Sequence, residues 1–207
     1  MKTLSRITII LLAILILPTL AFALETTSLQ DYMPSIAKAL KVEPRVISIF
    51  GEITDESMAK NLAELKELND RSDKEIEVDI TSPGGNVYAG LTFIDAMQRS
   101  HAPIKTVCEG YCMSMGAVIL AAGTHGRRFA TPLSTILLHQ VSSQAQGSLA
   151  ELQNSIAETK RLQDLIDSVL TRSSGLDEKA LTVLMNHDNF MSADKAKELH
   201  LVDDILK

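Results

Sequence analysis

A serine hydroxyl can attack a carbonyl only when a base takes its proton and donors hold the oxyanion that follows. The stretch CEGYCMSMGAVILAAG, Cys108 to Gly123, offers Ser114 for the attack. Ser114 stands at an expected strand-to-helix junction, where the amides of Met115 and Gly116 point outward from a helix N-terminus. Gly116 and Ala117 keep the first turn narrow enough for a substrate backbone to approach. The same residues also read as a small cap before a buried helix. Ser82-Pro83-Gly84-Gly85 adds a second element. Two glycines after a strand reach torsions forbidden to other residues and can turn their amides toward a ligand, or they simply make a turn.

The base must be one of five histidines. His139 ends the apolar run Ile136-Leu137-Leu138, at the C-terminal edge of a strand, where α/β sites gather. It reads as the base or as a core histidine satisfied by backbone. His101 and His125 fall in polar turns, His200 ends a surface helix, and His187 directly precedes Asp188. Asp188 is the choice for the group that orients the imidazole and stabilises its cation. Asp164 and Asp167 belong to a solvated helix face, and Asp203 and Asp204 fringe the last strand.

Two chemistries fit poorly. The α/β-hydrolase elbow needs glycine two residues before its serine, where this chain has Cys112. It also runs Ser, Asp, His, whereas the order here is Ser114, His139, Asp188. Zinc is not suggested either, because no His-x-x-x-His or Cys-x-x-Cys pair occurs. No metal or organic cofactor is expected.

These residues must be positioned by alternating strands and helices. Val46–Phe50, Glu75–Ile80, Ile104–Cys108, Arg127–Ala130, Thr135–His139 and Val202–Leu206 read as strands. Helices are expected from a cap at Asp55 to Asn69, over Val87–Arg99, Met115–Ala122 and Leu149–Arg172, from a cap at Asp177 to Met185, and from a cap at Ser192 to His200. A shorter one is expected over Ser28–Leu40. Such alternation implies an α/β fold with a largely parallel sheet. The 207 residues suit one domain of ordinary size.

The N-terminus differs in kind. Lys2 and Arg6 precede the apolar run Ile7–Leu17, and Ala21-Phe22-Ala23 follows as a small-x-small site, the pattern of a secretory signal peptide over residues 1–23. Retention as a membrane anchor is the alternative. Cleavage removes Lys2 and Arg6, so the 20 basic residues fall to 18 against 26 acidic ones, a net charge of −8. So acidic a chain, with no basic cluster, is not expected to bind nucleic acid. Export would allow a disulfide between Cys108 and Cys112. Extended residues four apart span ~13 Å, however, beyond the ~7 Å that a disulfide tolerates. Only a tight bend at Gly110 would join them, and two free thiols are expected.

Assembled, the motifs SPGG, VYAG, SMGAVILAAG, LLHQ and DNFMSADKAKELHLVDDI, in that order and spacing, resemble the proteolytic subunit of the Clp protease, the ClpP family, from about Arg45 to Ile205. The resemblance implies a crotonase-like fold of repeated β-β-α units for residues 45–207, after an N-terminal segment at 24–44. It implies a serine endopeptidase acting on peptides or unfolded proteins, with Ser114 as nucleophile, His139 as base and Asp188 as orienting acid. It places the oxyanion hole at the Gly85 and Met115 amides, and substrate contacts at Gly84, Gly85 and Gln140. Leu149–Arg172 becomes the handle of a homo-oligomeric ring, stacked in pairs, that a Clp-type ATPase feeds.

Three departures qualify this. Val141–Gly147 replaces the proline and glycine-rich stretch usual after His-Gln. Glu77 and Asp79 stand where the family often carries aromatics for unfoldase docking. The leader points to an extracytoplasmic location such as the periplasm, where ATP-driven unfoldases do not work, against the cytoplasmic location typical of ClpP. The expectation is therefore an exported, ClpP-like peptidase without a Clp ATPase. The alternatives are a signal-peptide-peptidase-like membrane-linked protease with a lysine base, a crotonase-type acyl-CoA enzyme, and an inactive ring scaffold.

Overall fold

The computed structural model describes residues 44–206. The leader at 1–23, the helix expected over Ser28–Leu40 and nearly all of the 24–44 segment lie outside the described residues. Alternation builds the first strands. In β1 (Val46–Phe50) Ile47 and Ile49 are buried while Ser48 and Phe50 face solvent. In β2 (Ile76–Ser82) Ile76, Val78, Ile80 and Ser82 are buried. Between them runs α1 (Asp55–Arg71), whose cap is Thr54 rather than Asp55. Thr54 and Ser57 close a reciprocal capping box, and Asp55 takes the first helical position, where an acid complements the helix dipole. Asn86 caps α2 (Val87–Gln98), and α3 (Met115–Ala121) is buried along its whole length.

A seven-stranded sheet runs β1-β2-β3-β4-β7. Its longest member is β3 (Ile104–Met113), which pairs in parallel with β2, with β4 (Arg128–Ala130) along its first half, and with β5 (Thr135–Leu138) along its second. The edge strand β7 (Asp204–Ile205) is shorter than expected and, among the described residues, pairs with β4 alone. Sequence pattern missed β6 (Asn189–Ser192), which pairs antiparallel with β5. Only Met191 of its four residues is buried, so it carries no apolar period. Three further helices follow the expected order: α4 (Leu149–Ser174), stopped by Gly175 in the left-handed region, then α5 (Glu178–Met185) and α6 (Ala193–Glu198). Among the described residues no helix is long and apolar enough to cross a membrane.

The end of β3 departs from simple strand geometry. Ile80 pairs with Cys108, but Ser82, two residues on, pairs with Cys112. Glu109, Gly110 and Tyr111 therefore stand against the single residue Thr81 of β2, with Gly110 at φ 78° and Tyr111 still paired with Thr135 of β5. The ~13 Å expected between the cysteines does not apply, because this bend brings them back beside positions only two residues apart on β2. Both are free and buried.

The far end of the sheet is tied by a buried cation. Arg128, 2 % exposed, donates from its backbone N–H, Nε and Nη2 to the Asp203 carboxylate, and from Nη1 to the carbonyls of Ala121 and Ser173. One side chain thus joins β4, the approach to β7, and the C-termini of α3 and α4. Asp203 does more than fringe the last strand. Burial alone would raise its pKa, but the hydrogen bonds and charge of Arg128 outweigh burial and lower it. Removing one partner of a buried ion pair strands the other. Arg128→Ala is expected to cost about 3–5 kcal/mol in urea unfolding; a loss below about 1 kcal/mol would mean the pair is no anchor.

The sheet face opposite the helices is acidic at its centre. Asp79 has a buried Oδ1 without a partner, and burial, with Glu77 and Glu109 nearby, raises its pKa to about 6 despite the opposing charge of Lys105. Raising a carboxyl above its unfolded value of 3.8 means the folded chain holds the proton longer. The group's contribution is therefore fully present at low pH and is lost as pH climbs from 3.8 to about 6. Asp79→Asn is expected to raise Tm at about pH 7.5 and to leave it nearly unchanged near pH 3.5. Equal shifts at both pH values, read by calorimetry, would contradict this.

Candidate functional site

Ser114 closes β3 and opens α3 with φ 53° and ψ −123°, a conformation that disfavours side chains. It occupies the N-cap position, yet its hydroxyl makes no capping hydrogen bond. The reading of Ser114 as a simple cap therefore fails, because the oxygen that would do the capping is free of the backbone. Its own N–H donates to the Leu137 carbonyl at 2.9 Å, and its carbonyl accepts from Ala117 and Val118. The backbone is thus held on both sides while the hydroxyl is left unused.

The SPGG turn lies directly against this residue. A Cβ built on Gly84 would stand 2.6 Å from Ser114 Cβ and 2.8 Å from the Met113 carbonyl oxygen. A Cβ on Gly85 would collide with the Ile53 carbonyl oxygen. Only glycine fits either place, so the turn is built for close approach. Ile53 bridges it by donating to the Gly84 carbonyl and accepting from the Asn86 N–H. That bridge leaves the Gly85 N–H outside it. Met115, the first residue of α3, likewise has no acceptor for its N–H within the helix.

His139 follows the last residue of β5 and is half-buried. It lines, together with Ser114, Gly85, Met115, Val87 and Gln140, a small cavity of about 60 Å³. Val118, Val141, Ser142 and Ile166 complete the lining. Four sequence-expected residues therefore meet there with a fifth, Gln140, whose N–H donates to the Met185 carbonyl. Gly84 sits behind the cavity, buried against Ser114.

The sequence did not reveal Gln163 of α4. Its Oε1 accepts from the Val141 N–H at 2.8 Å, and its Nε2 donates to Asp167. The loop leaving His139 is thereby pinned to the helix. Asp167 is half-buried, not solvated, and burial raises its pKa. A spacing signal existed: Gln163 stands three and seven residues before the buried Ile166 and Leu170, on the inner face of α4.

Asp188 is exposed, does not line the cavity, and has no side-chain hydrogen bond among the described residues. Its position is nevertheless ordered by the β5–β6 ladder. Pairing of Thr135 with Ser192 through to Leu138 with Asn189 points, one step further, to His139 opposite Asp188. Opposite residues of an antiparallel pair share a face.

A largely parallel α/β sheet carrying a 26-residue helix, with a serine held in a strained turn against a glycine loop, is a ClpP-like fold. The family model described as Clp protease matches residues 30–207, and the chain belongs to that family. In general terms it is a ClpP-like peptidase, from a family that forms oligomeric rings and acts on peptide substrates.

Residues held at such torsions store about 1–3 kcal/mol of strain, which glycine relieves. Ser114→Gly is expected to raise unfolding stability by about 1 kcal/mol. A Tm below that of the unmodified chain would show that the turn is not strained.

Proposed function

We propose that the chain is a serine endopeptidase of peptides and unfolded proteins, in which Ser114 attacks, His139 takes and returns its proton, and Asp188 orients the imidazole. The observation that carries this is the uncapped Ser114 hydroxyl at a positive φ, facing the same small cavity as His139. The N–H groups of Gly85 and Met115 are the donors for the oxyanion, since both are left over by the local backbone bonding. Gly85 and Gln140 contact the substrate chain, while Gly84, expected there too, sits behind the cavity and holds the turn against Ser114. The extended register of β5 and β6 brings Asp188 opposite His139, and catalytic hydrogen bonds commonly tighten only when substrate is bound.

We further propose that it is exported through residues 1–23 and works without a Clp ATPase. Glu77 and Asp79 support this, because both lie on the open sheet face beside Lys105. Covering this face with an apolar docking loop would bury Asp79 without a partner and strip water from the Glu77–Lys105 pair. Oligomeric rings remain the assembly, with α4 as the handle.

The test is cleavage of a short fluorogenic peptide. Ser114→Ala is expected to lower kcat by about 10⁴-fold or more while leaving oligomer size unchanged. A fluorophosphonate should label Ser114 and nothing else. With a histidine base, activity rises through near-neutral pH, whereas a lysine base would move that rise to higher pH. Wild-type activity retained in Ser114→Ala, or co-purification of the native protein with a Clp ATPase, would overturn the respective part of the reading.

A further inference from the structure

The bulged turn in β3 assembles a cysteine pair that the peptidase chemistry does not use. Cys108 and Cys112 are opposite Ile80 and Ser82, two residues apart on one strand. That spacing is about 6.6 Å along β2, inside the 4.4–6.8 Å Cα separation of disulfides. Residues two apart on a strand project to the same face, and both cysteines are 0 % exposed within one core cluster. Gly110 supplies the positive φ that the bulged turn needs, and a Cβ built on it would meet no atom within 4 Å. Nothing there opposes closing of the turn.

We infer that Cys108 and Cys112 form an intrachain disulfide across this turn when the folding chain meets a disulfide donor, either an oxidised thiol oxidoreductase or glutathione disulfide. One cysteine thiolate attacks the donor's S–S bond and releases one donor thiolate. The second cysteine thiolate then attacks the mixed disulfide and releases the other. The pair loses two electrons and two protons, and the donor becomes two thiols. The exchange belongs to the folding chain because both sulfurs are sealed in the finished core. Burial and contact with Cys108 also push the Cys112 thiol up, so in the folded core it is a poor nucleophile.

The bond would staple the segment that sets the site. Cys112 and Met113 pair with Ile136 and Leu137 of β5, and Ser114 follows at once. One covalent link would then fix the register of β2, β3 and β5, the three strands whose ends carry Gly84–Gly85, Ser114 and His139. The inference concerns the thiols and does not depend on the peptidase reading.

The experiment refolds the full reduced chain in a glutathione buffer poised near −200 mV and alkylates it after unfolding. Tryptic digestion without reductant is expected to give the Thr106–Arg127 peptide unalkylated and about 2 Da lighter than its dithiol. Tm is expected to stand about 4–8 °C above that of the reduced chain, to fall with dithiothreitol, and to be insensitive to dithiothreitol in Cys112→Ala. Two alkylated cysteines, or glutathione adducts alone, would overturn the inference whatever the variant does. A disulfide in a chain that cleaves no peptide would leave it standing and count against the proposed activity instead.

Discussion

The hydrogen bond from the Ser114 N–H to the Leu137 carbonyl holds the chemistry and the fold together. It comes where β3 has run out of strand and must turn into α3. By tying that turn to β5 it fixes Ser114 against Leu137, which stands two residues before His139. The same bond occupies the one donor that a serine in this position could otherwise have offered to an oxyanion. For the proposed reaction the donors left over are the next amide along, Met115, and the Gly85 amide from the facing turn. The bond thus settles which atoms are structural and which are free.

Around it the molecule divides its electrostatics by location. At one end of the sheet an arginine is sealed in the core and its charge is answered by Asp203 and two helix-end carbonyls. At the open face, acids accumulate with one lysine among them, and Asp79 retains a buried oxygen that nothing answers. The first arrangement is costly to break because each group has a dedicated partner. The second is a residual destabilisation tolerated on a surface, and it is relieved as Asp79 takes up a proton.

Much of the frame was legible because burial here is periodic. Ile76, Val78 and Ile80 announce β2, and Met58 and Leu65 announce α1. What failed was whatever depends on pairing rather than period. A two-against-four register leaves no mark in sequence spacing, so Cys108 and Cys112 read as far apart. β6 has a single buried residue and exists because β5 offers it an edge. Thr54 and Asp55 are both good caps, and only the reciprocal bond with Ser57 decides between them. Nothing in the sequence pattern marks Arg128 for burial, which follows from acceptors supplied by Ala121, Ser173 and Asp203. At the site, the types and order of Ser114, Gly84–Gly85 and His139 could be read, but the contact between the glycine turn and the serine could not.

The site residues are consequently held with unequal firmness. Ser114 and the glycine turn are locked by main-chain bonds and by a fit so close that no side chain could replace the hydrogens of Gly84 and Gly85. His139 depends on β5 before it and on Gln163 gripping the loop after it. Asp188 depends on β6, which among the described residues pairs with β5 alone, and on an exposed turn after α5. Opening free energy scales with the contacts that must be lost, so motion in this region concentrates at the acid and fades toward the serine. The strained element is then the rigid one and the adjustable element is the weakly held one. In the proposed triad, that division would let the carboxylate settle against the imidazole without disturbing the turn that holds the hydroxyl.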